Sequence, residues 1–191
     1  MPMDVAKIEE GFRKVLEGLG LDIRDPALRE SARLTAQAWH DELAAGLRLP
    51  PPAMKLFPVE EGQSRGLVAL QDIPVKSICA HHLLPFVGVA TVGYVPEASL
   101  CGISNLSRVV DHCARRLQVQ EALTDEIVRT LQRVLRPRGV GVVIQATHFC
   151  MHLRGVNHPG QMITSALKGC LQDDDALRRE FMALAPGAAG R

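Results

Sequence analysis

Val5, Ile8, Phe12, Val15, Leu16 and Leu19 recur at the spacing of one helical face, and Gly20 follows as a stop signal. Asp25-Pro26 suit an N-cap and a first helical position, so a second helix is expected from there. It carries Leu28, Ala32, Trp39 and Leu43 on one stripe and ends near Gly46. Leu49-Pro50-Pro51-Pro52 cannot continue a helix. Residues 1–50 are therefore expected to form a helical extension and 51–65 a linker.

After the linker the period changes. Residues 66–75 are rich in branched side chains, and 86–95 (FVGVATVGYV) are β-branched with interrupting glycines. The pattern predicts two antiparallel strands joined by a loop over 76–85. Leu106, Val109, Val110, Cys113, Ala114 and Leu117 then mark a strongly amphipathic helix, and Leu123, Ile127, Leu131, Val134 and Leu135 a second. Arg136-Pro137-Arg138-Gly139 ends it. GVGVVIQAT (139–147) reads as a strand, Phe149 to Arg154 as another, and 174–184 as a closing helix. This order predicts an α+β domain over 66–191, an antiparallel sheet with helices on one face. Its other face and its edges need cover, which points to oligomerisation.

Composition narrows the class. A chain of 191 residues with 47% hydrophobic content can bury a core, and with 4% aromatics that core is aliphatic. A net charge of +1 argues against a nucleic-acid binder. The sequence has no apolar run of membrane-spanning length and no export signal, so a cytoplasmic protein is expected, without membrane partners. Five cysteines, an odd number, favour free thiols or metal ligands over a disulfide framework.

Reactive side chains are densest at Cys79-Ala80-His81-His82, in the predicted loop. Thiolate and imidazole three residues apart can converge on zinc. A third ligand has to come from elsewhere, and Cys150 follows the strand 139–147, with His148 expected on the same side by alternation. Three protein ligands leave a fourth position for water, whose pKa zinc brings near 7. His81 and His148 beside it could move protons. Arg108 and Arg154 have the planar donor fork that suits phosphates. Glu121, at a predicted helix start, could accept the paired N–H donors of guanine. Singly, each of these is an ordinary core or surface residue; their joint placement points to chemistry.

The segments CAHHLLPFVGVATVGYVP, GISNLSRVVDHCARRLQVQEALT and RPRGVGVVIQATHFCMHLRGV resemble GTP cyclohydrolase I, in the family's order, over about residues 66–184. The resemblance implies the tunnelling fold, whose subunits join into β-barrels and stack as a homodecamer with active sites between subunits. It implies conversion of GTP and water to 7,8-dihydroneopterin triphosphate and formate, the opening step of folate and pterin synthesis. It makes Cys79, His82 and Cys150 ligands of Zn2+, His81 and His148 proton-transfer residues, and Ser104 a participant in the ribose rearrangement. Gln120 and Glu121 match guanine-recognition residues, and Arg108 and Arg154 match triphosphate contacts.

Three departures stand out. Asn105 replaces a lysine that helps hold the triphosphate in the family. Ala122 replaces an arginine, and Met162 and Ile163 interrupt a polar stretch. Two alternatives follow. One is a paralogue acting on another guanine nucleotide or stopping at a ring-opened formamidopyrimidine. The other is a non-catalytic oligomer that binds zinc and nucleotide.

Overall fold

The computed structural model describes residues 3–63, 65–155 and 157–185. The chain divides into two compact units, Met1–Pro50 and Pro51–Arg191.

In the first unit, α1 (Val5–Gly18) starts at Asp4, whose side chain accepts from Lys7 N. Its partner α2 (Ser31–Ala38) runs on into a widened π turn, Trp39–Leu43. Phe12 of α1 meets Trp39 with ring centroids 6.0 Å apart. The second helix begins later than its sequence suggests. Asp25 Oδ1 accepts from Ala27 N and Asp25 O from Leu28 N, so the Asp-Pro signal closes a turn and the helix starts at Ser31.

The second unit is built on a five-stranded sheet of order β5-β2-β3-β6-β7. These strands are β2 (Val68–Cys79), β3 (Pro85–Val95), β5 (Leu117–Gln118), β6 (Gly139–His148) and β7 (Gln161–Gly169). All neighbours are antiparallel except the short β2–β5 pair at the edge. Before β2 comes β1 (Leu56–Pro58), paired with β4 (Ser99–Cys101), and between the sheet strands lie the helices α3 (Ile103–Ala114) and α4 (Gln120–Leu135). Three further helices follow, α5 (Phe149–His152), α6 (Cys170–Asp173) and α7 (Asp175–Ala183).

Three expectations are corrected here. The predicted 76–85 loop shrinks to 80–84, because β2 runs on past Ile73 and Val75 through Ser77, Ile78 and Cys79, all three buried. The strand predicted from Phe149 is instead the helical turn α5, and the fourth long strand comes later, as β7. The predicted linker contains β1, held by β4, whose Cys101 N donates to the Tyr94 hydroxyl at 3.0 Å.

Burial follows alternation. Val140, Val142, Ile144 and Ala146 of β6 meet Leu106, Val109 and Val110 of α3 and Leu123, Ile127 and Leu131 of α4 in the main core. Val143 joins a smaller cluster with Leu171 and Phe181, so the helices after β7 pack on the opposite face. Two glycines make room for this: a Cβ on Gly93 or Gly141 would sit 2.7 or 2.6 Å from the Phe181 ring. Among the described residues no helix is long and apolar enough to cross a membrane.

Candidate active site

Cys79 ends β2, and the chain reverses within five residues to enter β3. The reversal is closed by Leu83 N to Cys79 O at 2.9 Å and Cys79 N to Leu84 O at 2.8 Å. It requires Leu83 at φ 56, a left-handed conformation that costs a non-glycine residue about 1 kcal/mol or more. The edge strand β5 holds the reversal from outside, with Ala80 N donating to Gln118 O at 3.0 Å. This strained hairpin carries Cys79, His81 and His82.

Cys150 arrives on the first turn of α5. Its Sγ lies 3.9 Å from Cys79 Sγ, which lies 3.9 Å from His82 Nδ1, and all three ligand atoms fall within 4.8 Å of one another. A tetrahedral zinc with ordinary Zn–S and Zn–N bonds needs S–S and S–N separations of roughly 3.5–3.8 Å. The donor set fits such an ion after small adjustments. Burial, and then the adjacent Cys79, push the Cys150 thiol above the ordinary range, while Arg154 pulls it down. Two thiols packed together resist ionisation unless a cation takes the charge, and a metal does that.

His148 ends β6 and is held by two contacts. Its ring stacks on Phe86, centroids 4.6 Å apart and planes within 7°. Nε2 lies 2.8 Å from Gln120 Oε1. The Gln120 amide has only one possible orientation, because its Nε2 is 3.1 Å from the carbonyls of Ile144 and Met162 and 3.1 Å from Thr164 Oγ1. Gln120 Oε1 therefore accepts, and His148 donates its Nε2–H. Neutral His148 keeps its lone pair on Nδ1. Burial pushes its pKa below the ordinary imidazole value, and the Glu121 carboxylate pulls it part of the way back.

These residues enclose one cavity of about 230 Å³, lined by Cys79, His81, His82, Gln118, Glu121 and His148 among others. Cys150, Gln120 and Met162 also reach it. Glu121 is exposed on the first turn of α4, where the helix dipole favours its charge.

The GTP cyclohydrolase I family profile matches residues 8–186. A GTP cyclohydrolase 1 of Aquifex aeolicus is 42% identical over 98% of this chain and 100% of its own length. The chain belongs to the GTP cyclohydrolase I family. A second relative of the same name, from Thermoanaerobacter pseudethanolicus, is 41% identical over 95% of this chain and 97% of its own. A third, from Janthinobacterium, is 41% identical over 92% and 89%. The α+β sheet and its helices are those of the family's tunnelling fold.

Other site candidates of this family member fall outside the cavity of their own chain. Ser104 is exposed on the first turn of α3, and Arg154 is exposed beyond α5. Arg108 lines a different cavity, with Lys76. Asn105 is 4% exposed, and its Nδ2 donates to Lys55 O at 3.1 Å.

The structure adds partners that the sequence reading left unassigned. Phe86, Thr164 and Thr124 hold His148 and Gln120. Gln118 is fixed by Glu126, which also binds Arg116 at 2.6 Å. The QVQE segment contained the signal for Gln118, but nothing local marks Phe86 or Thr164.

Proposed function

We propose that this protein catalyses zinc-dependent hydrolysis and rearrangement of GTP to 7,8-dihydroneopterin triphosphate and formate, in the cytoplasmic synthesis of folate and other pterins. The observation that carries the reading is the convergence of Cys79, His82 and Cys150 beside His148 and Glu121 in one cavity. Family membership supplies the substrate.

Zinc bound by Cys79, His82 and Cys150 would supply a Lewis acid and an activated water at its open position. The chain's own groups do the rest. Glu121 accepts the N1–H and exocyclic amine of guanine. Gln120 holds His148 so that Nδ1 can take up and return the proton of the purine's five-membered ring. His81, exposed on the hairpin, is the second proton carrier. Ser104 acts in the later ribose rearrangement, and Arg108, Arg154 and Asn105 belong to the triphosphate end. Ser104 and Arg108 lie outside their own chain's cavity, which suits active sites shared between subunits of a homodecamer.

The test is formate release, and pterin fluorescence after oxidation, from zinc-loaded protein given GTP. No turnover in that sample would overturn the reading. A second reading draws on Asn105, whose amide is spent on Lys55 O: a family member that prefers a guanine nucleotide with fewer phosphates, or stops at a formamidopyrimidine. Mass spectrometry of products from GTP, GDP, GMP and guanosine offered side by side decides between them.

A further inference from the structure

A second cavity in the Pro51–Arg191 unit holds charge that its own described residues do not neutralise. It measures about 290 Å³ and is lined by Pro74 and Lys76 of β2 and by Ser107, Arg108, Asp111 and Arg115 from α3 and its C-cap. Asp111 is the one carboxylate in that lining, and Arg115 Nε already holds it at 2.8 Å. Lys76 and Arg108 make no ion pair among the described residues, so the wall carries three cations against one anion.

The two free cations stand on rigid elements. Lys76 points outward between the buried Val75 and Ser77 of β2. Arg108 lies one residue before the buried Val109 and Val110 of α3. The same core that contains Val75 contains Leu106, Val109 and Val110, so packing fixes the spacing of their backbones. Ser107 adds a hydroxyl donor at the same wall. A guanidinium fork, an ammonium and a hydroxyl converging on one cavity suit an anion with several oxygens.

Position 105 does not contribute. Asn105 is absent from this wall, and its amide is committed to Lys55 O. We propose that Lys76, together with Arg108, binds the polyphosphate of the nucleotide, supplying from β2 the cation that position 105 lacks in this chain. The inference rests on the GTP cyclohydrolase reading and deepens its triphosphate end.

The experiment uses the full-length zinc-loaded protein, with Lys76→Ala and Lys76→Arg. Steady-state kinetics with GTP are paired with thermal shifts in tripolyphosphate, inorganic phosphate and guanosine. Lys76→Ala is expected to raise KM for GTP about tenfold, as loss of one charge-assisted contact does, with kcat within about twofold. It also removes most of the stabilisation by tripolyphosphate and leaves that by guanosine unchanged, and Lys76→Arg restores both. An unchanged KM together with an unchanged tripolyphosphate shift overturns the proposal, as does an equal loss toward guanosine. Equal stabilisation by inorganic phosphate at the same concentration overturns the polyphosphate assignment. If the wild type does not convert GTP while its tripolyphosphate shift still depends on Lys76, the anion site stands and the cyclohydrolase reading falls.

Discussion

Replacing Gln120 by leucine separates two roles that the sequence merges. The side chain is 1% exposed, so leucine fills similar space without meeting solvent. The wild-type amide offers two hydrogens to three acceptors, Ile144 O, Met162 O and Thr164 Oγ1, each 3.1 Å away. At most two of these bonds are strong at any instant, and the fourth contact is the one accepted from His148 at 2.8 Å. Three bonds at about 1 kcal/mol net each set the scale. The loss at the two carbonyls is softened because Ile144 and Met162 belong to the paired strands β6 and β7. The half-buried His148 N–H has no such substitute among the described residues. A loss of about 2–4 kcal/mol in urea unfolding is expected. Formate release should fall about a hundredfold in kcat with little change in KM, because His148 loses its fixed tautomer while Glu121 remains. Unchanged stability with a raised KM for GTP would refute this reasoning and make Gln120 a direct reader of the base.

Chelation of zinc should abolish formate release, with readdition restoring it, and Cys150→Ser should lower zinc content per subunit by mass spectrometry. Glu121→Gln is expected to raise KM for GTP by about tenfold or more, because a neutral amide cannot accept two donors in parallel, while the lost helix-dipole contact lowers stability by no more than about 1 kcal/mol. Gly141→Ala should lower Tm by roughly 5 °C, because its methyl would meet the Phe181 ring; adding Phe181→Ala should cost less than the two changes summed. His112 accepts from the Arg116 guanidinium at 2.7 Å, and burial, then that guanidinium, lower its pKa in the folded state. Below the ordinary imidazole value of about 6.5 the unfolded chain binds the extra proton first, so stability falls as pH drops through this window. His112→Gln should flatten the fall in Tm between about pH 7 and 5; an identical slope counts against the contact.

What the sequence revealed depended on how local the cause was. The amphipathic spacing of Leu106 to Ala114 predicted α3 because a single helix face sets that pattern. The C-x-x-H pair was legible because one tight hairpin brings it together. Cys150 was assigned through a strand alternation that does not exist there, since α5 begins at Phe149. It still reaches Cys79, because one helical turn after β6 directs the side chain back toward the sheet end. Lys76 and Ser77 hid the last four residues of β2, because polar residues on an outward or half-satisfied strand position resemble loop. Ser77 is buried there, and its hydroxyl donates to Arg116 O. Partners distant in sequence, such as Thr164 for Gln120 and Phe86 for His148, had no periodic signature. They follow from the β3–β6 and β6–β7 registers, which pair Phe86 with His148 and Ile144 with Thr164.

Those registers also explain why the site divides as it does. The cavity at the hairpin measures about 230 Å³, below the roughly 300–1,000 Å³ that encloses a drug-sized ligand. It suits a purine base next to a metal and two histidines, and a nucleoside triphosphate exceeds it. With the base seated there, ribose and phosphates would extend beyond the walls built by β2, β6 and α4 of one chain. The groups suited to them, Ser104, Arg108 and Lys76, sit exposed on α3 and β2. A second copy placing that surface over the hairpin would complete the nucleotide site. The metal and base end would then answer to the folding of one subunit, while the phosphate end would depend on assembly. Substitution at position 105 would be tolerable in such an arrangement, because the charge that meets the phosphates could be supplied from a neighbouring strand without disturbing the strained hairpin that carries the candidate metal ligands.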